Sequence, residues 1–61
     1  MKIRALAEES GLTQQVIGLR MGYPEKSARQ SVSLFLKSER PTLELVTRFA
    51  DAMGVKVKDL L

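Results

Sequence analysis

The chain has 61 residues, a net charge of +3, and neither cysteine nor histidine. A length of this order gives a single domain, residues 1–61, that buries only about 60% of its unfolded surface. Disulfides and ordinary zinc sites are excluded, and no apolar run approaches the ~20 residues of a membrane span.

Residues 2–10 predict a first helix, with Ile3, Leu6 and Ala7 on one face and Glu8 and Glu9 opposite. Gly11 ends it. Thr13 is an N-cap for a second helix reaching about Met21. Within that helix Gly18 lets another helix pass close, and Gly22 beyond it permits the left-handed backbone of a sharp turn. Two helices crossing through such a turn form the core of a helix-turn-helix DNA reader.

Gly22-Tyr23-Pro24 breaks the helical pattern. A third helix starts between Pro24 and Ala28, either with Pro24 in its first turn or on a Ser27–Gln30 capping box. Ala28, Val32, Phe35 and Leu36 have the spacing of a buried stripe. Gln30, Ser33, Leu34 and Lys37 point the other way, with Arg29 at the margin. After the loop Ser38-Glu39-Arg40-Pro41, Thr42 caps a fourth helix over Leu43 to Met53, with Leu43, Val46, Phe49, Ala50 and Met53 buried. Gly54 sits past its end, and Lys56 to Leu61 hold a last short helical turn in which Val57, Leu60 and Leu61 close the core. Val16, Leu19 and Leu45 lie off the buried faces, either covered by tertiary packing or part of a partner surface. The expectation is an all-α bundle of about five short helices without strands, its helix-turn-helix at about 13–37.

Charge is unevenly placed. Arg20, Lys26, Arg29, Lys37 and Arg40 face only Glu25 and Glu39 between residues 20 and 40, and the rest of the chain balances. A localised positive field suits a polyanion. No glycine-rich phosphate loop and no grouping of nucleophile, base and orienting residue occurs, so neither an enzyme nor a cofactor is expected. Charged residues interrupt the first ten positions, so no secretory leader is expected and the anticipated setting is the cytoplasm.

Four segments together resemble the lambda-repressor-like (Cro/C1-type, XRE) helix-turn-helix family. Thr13-Gln14 with Ile17, Gly18, Met21 and Gly22 is similar to its first helix and turn, and Ser31-Val32-Ser33 with Phe35 to its recognition helix. Arg40-Pro41-Thr42-Leu43 is similar to the loop before its fourth helix, and Phe49 to Val55 with Asp59-Leu60-Leu61 to its ending. The likeness covers nearly the whole chain. There are three departures. Gly22 to Val32 spans ten residues where the family has about six, so either the turn is longer or the recognition helix gains a turn. Ala7 and Leu36 stand where the family often pairs an arginine with a glutamate, and an apolar contact can replace such a pair. Ser38 replaces the usual glycine after the recognition helix.

The resemblance implies DNA contacts at named positions. Arg29, Gln30, Ser33 and Leu34 are the base-contact candidates. Arginine can grip guanine O6 and N7, glutamine adenine N6 and N7, and leucine a thymine methyl. Gln14, Lys26, Ser27, Ser31, Lys37 and Arg40 are the DNA-backbone candidates, adding affinity and salt dependence. The implied function is sequence-specific binding of double-stranded DNA through the major groove, as a homodimeric repressor of phage, plasmid or mobile-element type. Val55, Val57 and Leu61 could contribute to the dimer. The alternative is a protein-interaction module such as an antitoxin, for which Val16, Leu19 and Leu34 would be the contact residues.

Overall fold

The places where helices start and stop set this fold. The computed structural model describes residues 2–61. Four α-helices, α1 (Ile3–Glu9), α2 (Gln14–Arg20), α3 (Glu25–Lys37) and α4 (Leu43–Met53), precede one 3-10 turn, Val57–Leu60, and no strand occurs among the described residues. The all-helical expectation holds with one correction: there are four α-helices rather than five, the last helical segment being the 3-10 turn. Its bonds run between residues three apart, Asp59 N–H to the Lys56 carbonyl at 2.9 Å and Leu61 N–H to the Lys58 carbonyl at 3.4 Å. The Asp59 carboxylate also accepts the Lys56 N–H at 3.2 Å. Four residues are too few for an α-helical ladder to offset its nucleation.

The starts of α2 and α4 have local causes. Thr13 and Thr42 hold extended backbone, and their hydroxyls accept the Val16 and Leu45 N–H groups at 3.2 and 3.3 Å. Neither expected start of α3 holds as stated: the helix begins at Glu25, with Pro24 as its extended N-cap rather than in its first turn, and not at the Ser27–Gln30 capping box. The Pro24 carbonyl accepts the Ser27 and Ala28 N–H groups at 3.0 and 2.9 Å. Ser27 lies inside the first turn, its hydroxyl donating to that carbonyl at 3.4 Å, and caps nothing. The extra residues therefore lengthen α3 to 13 residues, and the turn stays short. At that turn Gly22 takes φ +98, its N–H bonds the Leu19 carbonyl at 3.1 Å, and the Tyr23 N–H bonds the Gly18 carbonyl at 3.0 Å. This is a Schellman closure, which satisfies the last carbonyls of α2. Gly54, at φ +72, ends α4 in the same way.

The core is apolar throughout: among the described residues no polar or charged side chain is buried. Phe49, Ile17, Leu60, Val32 and Val46 are its largest fully buried members, and the Phe35 and Phe49 rings meet at 5.4 Å. Val16 and Leu45 are half-buried, and Leu19 stays exposed. Two expected core residues are corrected, because Leu43 and Leu61 are each 73% exposed. Leu43, the first residue of α4, lies about 70° around the helix from the centre of the stripe Val46, Phe49, Ala50 and Met53. Leu60 fills the last core position, and Leu61 follows it outward. The Lys2 N–H bonds the Leu60 carbonyl at 2.7 Å, fastening the start of α1 to the 3-10 turn. No helix among the described residues is long and apolar enough to cross a membrane.

Candidate nucleic-acid interface

Gly18 fixes how α3 is presented. It is buried in α2 against Ala28, itself fully buried in the first turn of α3. A Cβ built at position 18 would lie 2.7 Å from Ala28 Cβ and nearer still to its carbonyl group. No side chain fits there, so the two backbones meet directly at one point. Beside it the Gln15 amide donates to the Glu25 carbonyl at 3.1 Å, which ties the start of α3 to α2. The Schellman turn closes the third side of this crossing.

With Ala28, Val32 and Phe35 turned inward, helical geometry places Lys26, Gln30, Ser33 and Lys37 within a wedge of about 60° on the opposite side. Lys26, Gln30 and Lys37 are exposed and Ser33 is half-buried. The other candidates divide between the two flanks of α3. Arg29 is exposed on the α2 side and lines a hollow with Thr13, Gln14 and Gln15. On the α4 side, Ser31 and Leu34 line a groove with Tyr23, Arg40, Pro41 and Leu45. Leu34 is 62% exposed there, whereas Ser27 and Ser31 are half-buried. The structure thus brings Gln14, Arg29, Gln30, Ser33, Lys26 and Lys37 to one side, and Ser31, Leu34 and Arg40 to its edge.

The cations on this side are not neutralised internally. The one ion pair among the described residues joins Arg48 to Glu44 within α4, at 3.0 Å. Lys26, Arg29, Lys37 and Arg40 are left to meet external anions, with Glu25 at the start of α3 and Glu39 beyond its end as the nearest acids in sequence. Such a surface can bind a phosphate chain electrostatically while the Gln30 amide and the Arg29 guanidinium offer directional hydrogen bonds.

One residue at this surface went unmarked in the sequence. Arg4 of α1 lines a groove with Gln14, Ser33 and Lys37, and its Nε–H donates to the Leu36 carbonyl at 3.3 Å. Ala7 and Leu36 line the same groove. The available signal was helical spacing, since Arg4 stands one turn before Ala7 on α1. Comparison with models of known protein families, with curated proteins and with solved structures returns no match.

Proposed function

We propose that this chain is a sequence-specific double-stranded DNA-binding domain of lambda-repressor-like helix-turn-helix type. In this reading α2 and α3 are the motif, and α3 lies in the major groove. Arg29, Gln30, Ser33 and Leu34 face base edges. Gln14, Lys26, Lys37 and Arg40 hold phosphates, with Ser27 and Ser31 contributing from the α4 flank. The observation that carries the reading is the close crossing of Gly18 on Ala28, from which α3 turns outward a basic face with no internal ion pair. The role that follows is that of a transcriptional regulator, a homodimeric repressor working in the cytoplasm. The test is titration of mixed-sequence duplex DNA at rising salt. Binding that weakens steeply with salt supports the reading, and absence of binding even at low salt overturns it.

A second reading is favoured by one observation. The groove carrying Leu34 also holds Tyr23, Pro41 and Leu45, an apolar surface that an antitoxin-like module would offer to a partner protein. A Leu34→Ser variant that keeps full duplex affinity but loses a co-purifying partner would favour this use.

A further inference from the structure

Arg4 is the only cation within α1. Its Nε–H is spent on the Leu36 carbonyl, 32 residues away in sequence. That carbonyl belongs to the last turn of α3, where carbonyls have no helical partner, so the guanidinium is fastened against the end of the helix. No other hydrogen bond or ion pair engages Arg4 among the described residues, and Glu8, one turn further along α1, is not paired with it. The two terminal nitrogens of Arg4 therefore stand free as a fork, the geometry that matches a phosphate with paired hydrogen bonds. The groove beneath, about 490 Å³, adds Lys37 and two neutral polar side chains, Gln14 and Ser33.

We propose that Arg4 and Lys37 clamp a phosphodiester of the nucleic-acid backbone in this groove, with Arg4 supplying a contact from a third helix. The proposal rests on the DNA-binding reading above and extends it to α1. Glu8 also lines the groove and opposes an anion. Its carboxylate leaves the lining with one net positive charge, too little to hold a free phosphate ion tightly. A phosphate delivered by a polymer already bound through α3 needs no more than this.

Three variants and two ligands test the proposal. The ligands are mixed-sequence duplex DNA over a range of salt, and inorganic phosphate followed by NMR shifts at constant ionic strength. For Arg4→Ala the duplex affinity should fall about tenfold at low salt, and the slope of log affinity against log salt should flatten by about 0.9. Arg4→Lys should keep the slope, because it keeps the charge. Glu8→Gln should bind duplex several-fold more tightly. If Arg4→Ala does not fold, the Glu8→Gln result decides, and an unchanged affinity there overturns the proposal. Wild-type binding with an unaltered slope in Arg4→Ala also overturns it, and leaves the reading through α3 standing. If the wild-type chain binds no duplex, that reading fails on its own. The phosphate arm separates the two sources: strong shifts at the Arg4 Nε–H from inorganic phosphate alone would mark a site for the free ion and overturn a contact that needs the polymer to deliver it.

Discussion

At the residue scale three positions separate folding from the proposed recognition. Gly18 serves the fold. Replacing it with alanine puts a methyl group into the Ala28 backbone, and the neighbour that must move is main chain rather than a flexible tip. Overpacking of this kind costs about 1–3 kcal/mol, and in a domain this small each kcal/mol lowers the melting point by about 4–8 °C. Gly18→Ala should therefore melt well below wild type in a circular-dichroism scan, and a melting point within a degree or two would contradict the close crossing. Gln30 and Lys37 serve the outward face in two different ways. Gln30→Ala should change which base is preferred at one position of a selected site, at a cost of about 1–3 kcal/mol for the preferred sequence. Lys37→Ala should weaken all sequences alike and flatten the salt dependence. Binding-site selection on the two variants separates these outcomes. The faces of α3 were legible in the sequence because helical spacing alone sorts Ala28, Val32 and Phe35 from Gln30 and Lys37. The bond from Arg4 to Leu36 was not, because helical spacing shows only that Arg4 shares a face with Ala7 and no local pattern encodes a partner carbonyl in another helix.

At the scale of elements, helix ends that rest on local hydrogen bonds were readable and those set by tertiary contact were not. The caps of α2 and α4 each need one threonine and an N–H three residues on. Thr42→Ala should accordingly cost about 1 kcal/mol, seen as a lower denaturant midpoint at unchanged slope. A shift of the slope instead would mean that α4 no longer unfolds with the rest. The start of α3 was ambiguous because Pro24 and Ser27 both offer acceptable local chemistry. The decision comes from outside the segment: Ala28 has to lie under Gly18, and the Glu25 carbonyl has to meet Gln15. A start with Pro24 as N-cap satisfies both, so the added residues become helix rather than loop. Leu43 was misplaced for another reason: at 100° per residue it lies about 70° from the centre of the stripe, and as the first residue of α4 it stays uncovered.

At the scale of the molecule, size bears on assembly. The longest dimension, 29 Å, is shorter than one turn of DNA, about 34 Å. With side chains added to this Cα extent, two copies set on successive major grooves on one side of a duplex would lie close enough to touch. If the chain acts as a two-fold dimer, DNA selected from a random pool should contain an inverted repeat with half-site centres about 10 base pairs apart. Selected sites without any repeat would mean that it acts as a monomer. A separate consequence follows from the bond between Lys2 and Leu60. It brings the first and last described residues together on the side of α1 that carries Ala5, Leu6 and Glu9, whereas the Arg4 groove opens on the other side. The polypeptide is thus nearly a closed ring. Two copies could be joined in tandem by a linker between these ends, with the added chain kept away from the Arg4 groove.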